Sequence, residues 1–133
     1  MADAKSKADG LIHDNAVMIF SKTWCSHCAH SKKILTAKQK EYEAKGTPFS
    51  LDVYELDQAS DGDDIQDFLK EKTSKRTVPR IFVAEKELGG RDNLDEVVAT
   101  KGPKGFDEYW LKNAVHYTAT GTTLPGFLSE SEA

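Results

Sequence analysis

An α/β sandwich with one central mixed sheet flanked by helices is the fold class predicted for this chain of 133 residues. Two observations predict it. Short apolar runs rich in branched side chains alternate with longer, charged runs of helical character. Their order is strand, helix, strand, helix, strand, strand, helix, with the last two strands close enough to form a hairpin, which is the pattern of a layered α/β fold.

Residues 1–10 are small and polar and are expected to form a flexible arm. Ala8 to Asn15 reads as a helical lead-in, with Leu11 and Ile12 turned to the core. The run Ala16-Val17-Met18-Ile19-Phe20 is apolar and partly β-branched, so a buried strand is predicted over 16–21. A helix follows from Cys25, with Cys28, Leu35 and Tyr42 at seven-residue spacing as a narrow buried stripe. Gly46 stops it and Pro48 keeps it from resuming. Phe49 to Leu56 alternates as a second strand. The acidic loop Asp57–Asp64 offers Asp61, Asp63 and Asp64 as caps for a helix over Ile65–Thr73. A third strand, Arg76–Ala84, is entered through Pro79, and Glu87-Leu88-Gly89-Gly90 is its hairpin partner. Asp92 or Asn93 can cap a helix to about Thr100, which Gly102-Pro103-Lys104-Gly105 breaks, and Phe106 to Tyr117 reads as the last amphipathic helix. The expected division is therefore the arm over 1–10, one domain over 11–117, and a C-terminal tail or strap over 118–133.

The chemistry concentrates in Lys22-Thr23-Trp24-Cys25-Ser26-His27-Cys28. It holds the only two cysteines, three apart, at a predicted strand-to-helix turn. At a helix start, unpaired N–H groups and the positive end of the dipole favour a thiolate, which is the nucleophilic form. Lys22 adds a cation, and two thiols one turn apart can close a disulfide with little movement. A thiol–disulfide redox site is the reading. Zinc is not favoured: Cys25, Cys28 and His30 match no usual spacing and lack an evident fourth ligand. His27 is expected at the rim of the site, His30 and the lysines of 32–45 in solvent, Trp24 as an apolar flank and Trp110 in the core.

Charge and composition exclude several classes. With 18 basic against 22 acidic side chains and no basic cluster, neither nucleic acid nor an anionic membrane is an expected partner. No apolar run approaches spanning length, the first residues lack a signal-peptide core, and one C-x-x-C pair cannot staple distant parts of a secreted chain. A cytoplasmic location is expected.

Four spaced motifs then agree in order: Lys22 to Cys28, Ile65-Gln66, Arg76-Thr77-Val78-Pro79, and Gly89-Gly90-Arg91-Asp92-Asn93. Together, over about residues 10–115, the chain resembles a dithiol glutaredoxin. The resemblance implies a thioredoxin-like sandwich with a four-stranded mixed sheet, and a cis-proline at Pro79 facing the cysteines. It implies reduction of glutathione mixed disulfides and protein disulfides, with Cys25 as nucleophile and Cys28 as resolving thiol. It also implies that Lys22, Cys25, His27, Gln66, Thr77, Val78, Pro79, Gly90, Asp92 and Asn93 hold the co-substrate glutathione, Lys22 and Gln66 at its glycine end and Asp92 and its neighbour at its γ-glutamyl end. Partners would be glutathione, glutathionylated proteins and small disulfides, and the protein a monomer. Two features depart from the family pattern. Ser26-His27 replace the common Pro-Tyr, and Asn93 replaces an acid, removing a negative charge where an ammonium should bind. Ser26 also raises the alternative of a glutathione-dependent [2Fe-2S] cluster carrier, a cluster-bridged dimer with Cys25 as its only protein ligand. A thioredoxin-type reductase is a third reading, in which the glutathione contacts would have no purpose.

Overall fold

The computed structural model describes residues 2–128. Its nine main elements are α1 (Ala2–Asp14), β1 (Val17–Ser21), α2 (Ser26–Ala44), β2 (Leu51–Glu55), α3 (Gly62–Thr73), β3 (Arg80–Val83), β4 (Lys86–Gly89), α4 (Arg91–Ala99) and α5 (Lys112–Thr120). The strands form one sheet in the order β2-β1-β3-β4, in which β1 runs parallel to β2 and antiparallel to β3, and β3 runs antiparallel to β4. Strand β1 is buried along its whole length because both sheet faces are covered. Alternation sends Val17 and Ile19 to one core with Leu35, Leu94, Trp110 and Phe127, and Met18 and Phe20 to the other with Ile12, Ile65 and Leu69. The predicted sandwich is the observed one.

The N-terminus corrects the sequence reading. Residues 2–10 are not a loose arm but most of α1, whose Ala4, Ala8 and Ile12 are buried against α3 at four-residue spacing. Alanine methyls carry this stripe, so its apolar period is too weak to stand out among the lysines and aspartates. Lys7 pairs with Asp61 at 3.0 Å and Lys72 with Asp9 at 3.5 Å across the same seam. Asp61 sits at the N-cap of α3, but its side chain does not cap; it accepts from the Tyr54 hydroxyl at 2.6 Å. The helix instead begins against the chain itself, since a Cβ on Gly62 would lie 1.8 Å from the carbonyl oxygen of Leu56.

The C-terminal part differs in detail. Phe106–Leu111 is π-helical and runs directly into α5, which passes Tyr117 and ends at Thr120 before Gly121 in the left-handed conformation. Beyond it Phe127 is buried against Tyr109 and Trp110, so residues 121–128 are strapped to the core. The acidic end of the expected tail, 129–133, lies outside the described residues. Among the described residues no helix is long and apolar enough to cross a membrane.

Candidate functional site

Cys25 is the N-cap of α2. Its backbone is extended (φ −89°, ψ 120°), and its sulfur accepts the Cys28 N–H at 3.4 Å, in the place where serine or aspartate usually caps. A thiolate there meets a donor and the positive end of a 19-residue helix. Cys28, one turn on, is fully buried, and burial pushes its thiol up to about 11 against a smaller opposing effect of the Lys22 backbone. The two cysteines are free thiols with unlike surroundings. Cys25 is itself only 9% exposed.

The loop before Cys25 is held from outside the motif. The carboxylate of Asp57, which follows β2, accepts from the Thr23 backbone N–H at 3.0 Å and from the Thr23 hydroxyl. These bonds hold the Asp57 carboxyl below its usual range. The Lys22 amine lies 5.6 Å from the centre of the Trp24 ring. Trp24, the residue before Cys25, is 71% exposed.

The Val78–Pro79 bond is cis, and the Val78 carbonyl oxygen stands 3.9 Å from the Cys25 sulfur. Beside it opens a cleft of about 260 Å³. His27, Thr77, Val78, Pro79, Gly90, Asp92 and Asn93, all anticipated from the sequence, line it together. Lys22, Cys25 and Gln66 do not, although the Cys25 sulfur stands beside the Val78 carbonyl. Gln66 is buried, and its amide donates to the Arg76 carbonyl at 2.6 Å, so it supports the chain leading to Thr77 and does not face the cleft. The far wall is the start of α4, whose N-cap is Gly90; neither Asp92 nor Asn93 is the cap. The Asn93 side-chain oxygen instead reaches back to accept the Gly90 N–H at 3.0 Å.

Three cleft residues escaped the sequence reading: Lys75, Arg80 and Arg91. Arg80 is buried, donates to the Pro79 carbonyl at 3.1 Å and pairs with Glu87 at 2.9 Å, bracing the proline turn from below. The signal available for it was a lone cation inside an otherwise apolar strand, since buried charges need partners.

A nucleophilic sulfur at a helix start, a buried second thiol and a cis-proline beside a peptide-sized cleft match one family. The glutaredoxin family model covers residues 17–88. The chain belongs to the glutaredoxin family. It is 42% identical over 94 residues to glutaredoxin-1 of Rhizophagus irregularis, a match covering 71% of this chain and 84% of that protein. The crystal structure of the buckwheat glutaredoxin–glutathione complex superposes with a TM-score of 0.60 at 37% identity, over 71% of this chain and 78% of that one. The holo form of glutaredoxin C1 from Populus tremula x tremuloides superposes with a TM-score of 0.65 at 30% identity, over 92% and 95% of the two chains. As a glutaredoxin, the protein is a glutathione-dependent thiol–disulfide oxidoreductase with a thioredoxin-like fold.

Proposed function

We propose that this glutaredoxin reduces glutathione mixed disulfides through Cys25 alone and protein disulfides through Cys25 and Cys28 together. The observation that carries the division is the contrast between the capping sulfur of Cys25 and the buried, proton-holding thiol of Cys28. In the first route, the Cys25 thiolate attacks the glutathione sulfur of a mixed disulfide. The Cys25–glutathione disulfide forms, and the target leaves as a thiolate that takes up a proton. A second glutathione, as thiolate, attacks the glutathione sulfur on Cys25, releasing oxidised glutathione and the Cys25 thiolate. In the second route, Cys25 is joined to a protein target, and Cys28 gives up its proton and attacks the Cys25 sulfur. The target leaves reduced, the Cys25–Cys28 disulfide forms, and two glutathiones restore both thiols. A sulfur at a helix start, where the thiolate is favoured, serves well as attacker and leaving group in turn.

Glutathione is proposed to lie in the cleft, its cysteinyl backbone beside Val78 and Pro79 and its γ-glutamyl end at Asp92 and the start of α4, where backbone N–H groups favour a carboxylate. Thr77 and His27 border the same space, while Gln66 acts through the loop that it anchors. A glutathione-rich reducing compartment, the cytoplasm, suits a protein whose two thiols must be regenerated. For the cluster-carrying alternative this chain offers the single sulfur of Cys25, and the remaining ligands would have to come from glutathione and a second copy. No feature of the site favours that reading over exchange.

The deciding test is turnover of the mixed disulfide of glutathione with 2-hydroxyethanethiol, followed by consumption of reduced nicotinamide cofactor with glutathione reductase. Cys25→Ser should fall to background while Cys28→Ser keeps a substantial part of the wild-type rate. Equal loss in both variants would exclude the one-cysteine route.

A further inference from the structure

Arg91 opens helix α4 at the cleft wall, opposite the start of α2. Its guanidinium is fixed from two sides. Nε lies 3.4 Å from Asp95 Oδ2, one turn along the same helix, and Nη1 lies 3.1 Å from His27 Nδ1 on the other wall. Arginine has only donors, so His27 Nδ1 is the acceptor in this pair. Asp95 is held in turn by His30, whose Nε2 stands 2.8 Å from the second carboxylate oxygen. An i,i+4 pair alone would leave a long arginine free to sweep the surface. The added contact to His27, 64 residues away, sets the guanidinium across the cleft mouth. Nη2 has no partner among the described residues, and the side chain is 34% exposed. An immobilised guanidinium with one free edge is suited to a carboxylate.

The charges around it are balanced. Arg80 is paired with Glu87 and Arg91 with Asp95, which leaves Lys75 against Asp92 on the lining. Asn93 is neutral, so a ligand carboxylate at the free edge of Arg91 meets no second acid there.

We infer that Arg91, positioned by His27 and Asp95, is a specificity-determining residue of the exchange reaction and selects disulfides that bring a carboxylate to the cleft mouth. The inference rests on the oxidoreductase reading. The carboxylate has two sources, the γ-glutamyl end of glutathione or an acidic side chain next to the disulfide of the target.

Two glutathionylated peptides of otherwise identical sequence separate the sources, one with aspartates flanking the modified cysteine and the other with asparagines. They are compared as substrates of wild type, Arg91→Gln and Arg91→Lys, with glutathione also varied. If the target supplies the carboxylate, wild type prefers the acidic peptide by about tenfold, the worth of a charge-assisted hydrogen bond, and Arg91→Gln abolishes the preference. If glutathione supplies it, Arg91→Gln lowers kcat/KM on both peptides alike and raises the KM for glutathione by a similar factor. Arg91→Lys recovers part of either effect, and it carries the test should circular dichroism show Arg91→Gln unfolded. An unchanged peptide preference together with an unchanged KM for glutathione would overturn the inference. Absence of turnover by the wild type on every substrate would overturn the oxidoreductase reading, and the inference with it.

Discussion

Two helices begin at the same cleft, and their ends are built differently. The start of α2 is capped by a sulfur that takes the Cys28 N–H. The start of α4 is capped by Gly90, with Asn93 folding back onto the Gly90 N–H and Arg80 packed beneath. The first end keeps its donors around an atom that reacts; the second keeps its donors around space that a ligand can fill. Each is steadied by one carboxylate from outside its first turn, Asp57 at α2 through Thr23 and Asp95 at α4 through Arg91. The same helix-end electrostatics thus serve a nucleophile on one wall and recognition on the other.

The largest difference expected between the two ends is their tolerance of added atoms. Gly89 has φ +124°, and a Cβ there would lie 2.2 Å from the Asn93 side-chain oxygen. Gly89→Ala should cost roughly 1–3 kcal/mol of stability from backbone strain and the displaced Asn93. Ser26→Ala, at the exposed first residue of α2, should stay within about 0.5 kcal/mol. Chemical denaturation of both variants compares them, and equal costs would mean that the α4 end is as loosely built as the α2 end.

A smaller effect should appear in acid. Hydrogen bonds from Thr23 hold the Asp57 carboxyl low, and those from His30 and then Arg91 hold Asp95 low. A carboxyl depressed in the folded chain contributes stability above its unfolded value, about 4. That contribution is lost as pH falls through the folded value. Melting temperatures should therefore drop below about pH 4, and less steeply in Asp57→Asn and Asp95→Asn than in wild type. Variants as steep as wild type would show that these carboxylates do not steady the two ends.

The smallest effect concerns Asn93. Asn93→Asp keeps an acceptor for the Gly90 N–H and adds a negative charge in the first turn of α4. Stability should rise by about 0.3–1 kcal/mol. The KM for glutathione should fall, because the added charge meets the ammonium of the ligand. A raised KM would instead indicate that the corner prefers carboxylates strongly enough to resent the new charge.

How much of this was legible follows the same division. The α2 end is local in sequence, since strand, cysteines and helix are contiguous, and its reading as a redox site holds in the fold. The α4 end depends on contacts the chain order hides. His27 meets Arg91 64 residues away, and Arg80 finds its partner Glu87 across a hairpin. The cap of α4 is a glycine, which carries no side-chain signal, so the sequence points instead to the polar residues just inside the helix. Gln66 was legible as a position but not as a role, because its amide turns inward to the Arg76 carbonyl. Helix α1 was missed for a different reason: a stripe of alanines buries surface without a strong apolar period.

The most direct test of the account is peptide-resolved alkylation of the reduced protein by iodoacetamide as a function of pH. With its sulfur at the helix start, Cys25 should be modified at neutral pH. Cys28, buried and holding its proton up to about pH 11, should remain unmodified until that range, both in wild type and in Cys25→Ser. Modification of both cysteines at comparable rates at neutral pH, or of Cys28 first, would contradict the assignment of Cys25 as the nucleophile.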